Sequence, residues 1–105
     1  MKKFVICLLV LTFLVSAIGV AGTAAPAYKI GLVTGTVSQG EDEYRAAEKM
    51  VGKYGDVIRH VTYPDNFMQE QETTIAQITG LAADKDVKAI VVCQAVPGTV
   101  AAIRQ

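Results

Sequence analysis

The run Val87-Lys88-Ala89-Ile90-Val91-Val92-Cys93 constrains this chain most. It has the length of a strand and lacks the polar alternation of a half-exposed one. That is the pattern of a parallel strand covered on both faces. Parallel neighbours need crossover connections, so strand and helix should alternate along the chain. They do. Tyr28-Lys29-Ile30-Gly31-Leu32-Val33-Thr34 is a short apolar run ending in turn residues, which predicts a first strand.

Ser38-Gln39-Gly40-Glu41 then matches a capping box, with Ser38 as N-cap. Tyr44, Ala47, Met50, Val51 and Tyr54 follow at three- and four-residue steps, one face of a helix that Gly55 closes. Glu41, Asp42 and Glu43 sit at its positive end, and Lys49 and Lys53 near its negative end. Val57–Tyr63 is β-branched and aromatic but carries Arg59 and His60, so it reads as a more exposed strand. Pro64 stops it, and Asp65 or Asn66 is expected to cap a helix whose face holds Met68, Ile75, Ile78 and Ala82. Gly80 weakens that helix. Asp84-Lys85-Asp86 forms a turn, Gln94–Gly98 a loop, and a third helix begins near Thr99.

The expected order is β-α-β-α-β-α, a Rossmann-like α/β arrangement with a parallel sheet and helices on both sides. The third strand is the most apolar and the second the most polar, so the strand order should be 2-1-3. The third helix reaches Arg104-Gln105 without a stop signal, and the far edge of Val87–Cys93 lacks a partner. Residues 28–105 therefore read as the N-terminal piece of a longer α/β protein that folds poorly on its own.

Ahead of this lies a 24-residue stretch without charge, Phe4 to Ala27, preceded by Lys2-Lys3. A basic start, an apolar centre and a Gly/Ala-rich end have the anatomy of a secretory signal over residues 1–27, a signal helix cut near 24 or 27. The expected location is the periplasm or the outer face of the cell membrane. Contact with the membrane itself is expected only through this segment, if it stays uncut. Beyond it, eight basic residues against ten acidic ones leave a net charge of −2. That balance gives no footing for nucleic acid. Cys93 would be the only cysteine left, so no internal disulfide can form.

Gly35 and Gly40 have the spacing of a phosphate loop, but Glu41-Asp42 stands where Lys and Ser/Thr are required. Nucleotide binding is thereby excluded. The loop suits another ligand class, because open parallel sheets bind ligands beyond the carboxyl ends of their strands. That edge should carry Thr34, Gly35, Thr36, Ser38 and Gln39 after the first strand, Asp65 and Asn66 after the second and Gln94 after the third. Neutral and acidic hydrogen-bonding groups fit a small polar solute. Ser38, Asp65 and Asn66 also have a purely local explanation as caps, whereas Gln94 has none. Cys93 reads as a small buried hydrophobe and His60 as a partly exposed edge-strand residue. No catalytic pair, metal set or cofactor loop is present, so an enzyme is not expected.

The segments Tyr28–Gly35, Tyr44-Arg45-Ala46-Ala47-Glu48, Val61-Thr62-Tyr63-Pro64-Asp65, Gln71–Leu81 and Val87–Gly98, behind a signal peptide, resemble the start of a type I periplasmic binding protein. The resemblance is to an uncharacterised exported branch of that superfamily and covers a partial N-terminal lobe. It implies a two-lobed solute receptor serving the membrane subunits of an ABC transporter, or a sensor. Carried over residue by residue, it implies ligand contacts at Thr36, Ser38, Gln39, Asp65 and Gln94. The first loop lacks the aromatic residues of sugar-binding members, and its acidic helix start favours a cationic or neutral ligand. An exported α/β enzyme fragment and a membrane-anchored sensory or structural module are the competing expectations.

Overall fold

The computed structural model describes Gly22 and residues 27–105. The signal segment expected over residues 1–27 lies almost wholly outside the described residues. No helix among the described residues is long and apolar enough to cross a membrane.

Strand β1 (Lys29–Thr34) is central, between β2 (Ile58–Thr62) and β3 (Val87–Val92), and both pairings are parallel. The order β2-β1-β3 is the one expected from strand polarity. Helix α1 (Val37–Tyr54) and a 3-10 turn (Gly55–Val57) link β1 to β2. Helix α2 (Gln71–Ala83) links β2 to β3, and the short α3 (Thr99–Ile103) follows β3.

Alternation along the strands sends neighbouring side chains to opposite faces. Val33, Tyr63, Ile78, Leu81, Val96 and Ala102 form the larger core, beneath α2 and α3. Leu32, Ala47 and Ile58 form the smaller one, beneath α1. Close approach is built in at Gly31, where a methyl group would stand 2.9 Å from Leu81 Cδ1. Lys29 ties the start of β1 to the turn before β3, its Nζ 3.1 Å from Asp84 and 3.5 Å from Asp86.

Four expectations are corrected. Ser38 does not cap α1: the helix begins at Val37, two residues earlier than a Ser38 cap requires, with Thr36 at the cap position, and its backbone leaves helical geometry at Gly40. Neither Asp65 nor Asn66 caps α2, which starts at Gln71 after a run of turns in which the Asn66 carbonyl accepts from the Gln69 and Glu70 amides. On α1 only Ala47 is buried, while Met50, Val51 and Tyr54 remain exposed; on α2 the buried face is Thr74, Ile78 and Leu81, Ala82 is exposed, and Met68 lies exposed in the turns ahead of the helix.

The fourth correction is β3 itself, which is covered on one face only. Ile90 and Val92 pack on the larger core, but Ala89, Val91 and Cys93 are exposed because α1 lies over β1 and β2.

Candidate functional site

The loops at the carboxyl ends of β1 and β2 meet in a hydrogen-bonded cluster. Thr36 and Ser38, on either side of the α1 start, aim their hydroxyls at the loop after β2. Thr36 Oγ1 and Ser38 Oγ both donate to Asp65 Oδ1, the latter at 2.8 Å, and the two hydroxyls lie 2.9 Å apart. Gln39 Nε2 donates to the Asp65 carbonyl at 2.8 Å. These hydroxyl donors, Thr36 first and then Ser38, hold the Asp65 carboxyl below the usual carboxylate range. Asp65 therefore carries its full charge at neutral pH. Among the described residues, the hydrogen bonds to this carboxylate fall on Oδ1 and leave Oδ2 unpartnered.

The caps fail by position: Ser38 is already the second residue of α1, and Asp65 stands six residues ahead of the start of α2 at Gln71, so the two side chains meet each other instead. Four of the five expected contact residues, Thr36, Ser38, Gln39 and Asp65, are thus brought together. An open recess of about 490 Å³ is lined by Thr36, Val37, Ser38, Tyr44, Thr62 and Asp65.

Gln94 is not part of this cluster. Its Oε1 accepts a 2.8 Å hydrogen bond from Tyr63 Oη, across the end of β1. Burial pushes the Tyr63 hydroxyl up from the ordinary tyrosine value, so it donates as a neutral phenol. Gly35 makes this crossing feasible, since a methyl group there would stand 2.9 Å from Tyr63 Oη and 2.9 Å from Gln39 Cβ. Tyr63 was missed by sequence reasoning: it closes a polar segment, yet it is 1% exposed. Its position before Pro64 was the one available signal.

His60 stands nearer the site than a plain edge residue. Its Nε2 lies 2.8 Å from the buried Thr34 Oγ1, and its ring meets Tyr44 edge-on at 5.3 Å. Because Thr34 Oγ1 also donates to the Gly35 carbonyl, His60 Nε2 supplies the proton of their shared bond. Burial lowers the His60 pKa, against a weaker opposing effect of Glu48. Tyr44 and His60 also border a second, larger recess of about 660 Å³ along the outer edge of β2. The Cys93 thiol is exposed, contrary to expectation, and is pushed up by its desolvation and by the charge of Glu43. No group of three metal-ligating side chains occurs among the described residues.

Residues 28–105 match the family described as protein of unknown function (DUF3798). An uncharacterized protein of Treponema pallidum (strain Nichols) is 34% identical over 85 residues, a match that takes in 74% of this chain and 38% of the relative. The chain thus spans well under half the length of that relative. No solved structure matches it.

Proposed function

This chain belongs to the DUF3798 family, and from that premise we propose that it is the N-terminal part of an exported solute-binding protein. It would take a small polar solute at the strand ends and deliver it to the membrane subunits of an ABC-type importer, or to a sensor. The protein acts by binding and release rather than by catalysis.

The observation that carries the reading is the Asp65 carboxylate. Two loops converge to fix it, with Thr36 and Ser38 on one oxygen and the other left open. A hydrogen-bond acceptor held in one orientation beside a recess is what recognition of a polar solute needs, because little side-chain order remains to be lost on binding. Its place beyond the carboxyl ends of parallel strands is where such sheets take ligands. Thr36, Ser38 and Gln39 orient Asp65 and offer further polar contacts, while Gln94 contributes from the end of β3. The resemblance to periplasmic binding proteins supports the receptor role, and the uncharged stretch from Phe4 to Ala27 supports export.

The test is a melting screen of the full-length protein against neutral, cationic and anionic polar solutes. A bound solute at a hundred times its Kd stabilises by about 2.7 kcal/mol. The expected result is a solute that raises the melting temperature and is recovered unchanged, with Asp65→Asn weakening it by about tenfold or more. Turnover of the solute, or no stabilising solute in any class, would overturn the reading.

A further inference from the structure

The recess at the ends of β1 and β2 is one-sided in its hydrogen bonding. Its wall is Thr36, Val37, Ser38, Tyr44, Thr62 and Asp65, around about 490 Å³. A hydroxyl has one hydrogen to give and two lone pairs with which to accept. Thr36 and Ser38 give their hydrogens to Asp65 Oδ1, so toward a ligand they can only accept. Asp65 Oδ2 is an acceptor as well, unpartnered among the described residues. The Thr36 and Ser38 oxygens lie 2.9 Å apart with both hydrogens directed elsewhere, so their lone pairs crowd one another until a donor is shared between them. Three acceptors from two loops thus meet in one cavity wall.

Charge points the same way. Asp65 is the only charged residue of the six that line the recess. The ion pairs among the described residues join Lys29 to Asp84 and Asp86, and Arg45 to Glu41 and Glu48, and none includes Asp65. The positive end of α1 supplies roughly half a charge. Asp65, with the exposed Glu41 and Asp42 of the same helix start, more than offsets it.

These features select among ligand chemistries. An anion would meet a carboxylate and acceptors it cannot use. An alcohol has one hydrogen to give and a primary amide two. A primary ammonium group has three N–H donors and the opposite charge, and matches the wall in both respects. The remaining surface is apolar, from the exposed Val37 and the ring of Tyr44.

We propose that this recess takes a primary ammonium group carried on a small apolar body, its N–H groups going to Asp65 Oδ2, Thr36 Oγ1 and Ser38 Oγ and the body lying on Val37 and the Tyr44 ring. This rests on the solute-binding reading and narrows it to one ligand class.

Isothermal titration of the full-length protein tests it with 3-methylbutylamine, its N,N,N-trimethyl derivative and 3-methylbutan-1-ol; 2-phenylethylamine against 2-phenylethanol repeats the comparison with a larger body. In at least one series the amine should bind about tenfold or more tightly than the alcohol, the scale of hydrogen bonds to a charged group. It should also bind more tightly than the trimethyl ion, which keeps the charge but has no N–H to give. Asp65→Asn should abolish the preference for the amine over the alcohol, whereas Glu41→Gln, removing a charge outside the recess wall, should preserve it. Ser38→Ala should narrow the gap between the amine and the trimethyl ion. Equal binding of amine and alcohol, or equal losses in the Asp65 and Glu41 variants, would overturn the proposal. So would a trimethyl ion held as tightly as the amine, because the donors would then play no part. Should Asp65→Asn fail to fold, the comparison of the three probes on the parent protein still decides. No binding of these probes beside a neutral or anionic hit in the melting screen would remove the ammonium class and leave the receptor reading standing. No hit in either would remove both.

Discussion

Gly35 holds the strand-end surface together by what it lacks. A side chain there would meet Tyr63 Oη and Gln39 Cβ, each at 2.9 Å, and the Tyr63 ring is locked in the larger core. Gly35→Ala should therefore destabilise the protein by about 1–3 kcal/mol, the usual range for overpacking. Urea unfolding measures it, and an unchanged midpoint would mean that Tyr63 can yield. His60 gives a pH signature of known sign. Its folded pKa lies below the unfolded value of about 6.5, so the unfolded chain binds the proton more readily. The stability it contributes is complete above that value and is lost as the pH falls toward the folded pKa. The drop in melting temperature from about pH 7.5 to pH 5.5 should be smaller in His60→Gln than in the parent. Neither the Gly35–Tyr63 contact nor the His60–Thr34 bond was legible in the sequence, because each joins β1 or its end to β2 or its end, more than 25 residues apart in the chain. Thr36, Ser38, Gln39 and Asp65 were legible as a strand-end set, since only their position beyond an apolar run was needed.

The elements were readable where one side chain decided them and misread where two competed. Strand β1 and the turn at Asp84–Asp86 follow from local chemistry, and the structure has them as expected. The starts of α1 and α2 do not: α1 begins ahead of Ser38 and α2 six residues beyond Asp65, and the two side chains bind one another instead. Two glycines separate local from tertiary effects in the same way. Gly80, in α2, has open space around it, so Gly80→Ala should stabilise by about 0.5–1 kcal/mol through helix propensity. Gly98 precedes α3 at φ +99°, and a methyl group there would stand 2.8 Å from the Gln71 carbonyl oxygen and 3.3 Å from Thr74 Cβ. Gly98→Ala combines a left-handed backbone with a clash against the start of α2, and should cost about 2–4 kcal/mol. Paired chemical unfolding curves of the two variants check both signs; shifts in the same direction would refute the packing of α3 on α2.

At the scale of the molecule, the unbroken apolar character of β3 predicts cover on both faces, yet only one face is covered. Val91 remains 49% exposed, and on the other side of the sheet Val100 and Ile103 of α3 are 59% and 72% exposed. The outer edge of β3 has no strand partner among the described residues, so its peptide groups and the Val91 face are open together. Burying apolar surface contributes about 25 cal/mol per Å², and an unpaired edge supplies the hydrogen bonds that make such contact sticky. Residues 28–105 produced alone should therefore self-associate, with an average mass that rises with concentration in sedimentation velocity. Val91→Lys places a charge on the open face of that edge without touching either core, so it should suppress association while leaving the melting temperature nearly unchanged. If association persists in Val91→Lys but disappears in Ile103→Lys, the contact runs through α3 rather than the sheet. A parent chain that stays monomeric with a sharp cooperative melt would show that one covered face is enough for β3.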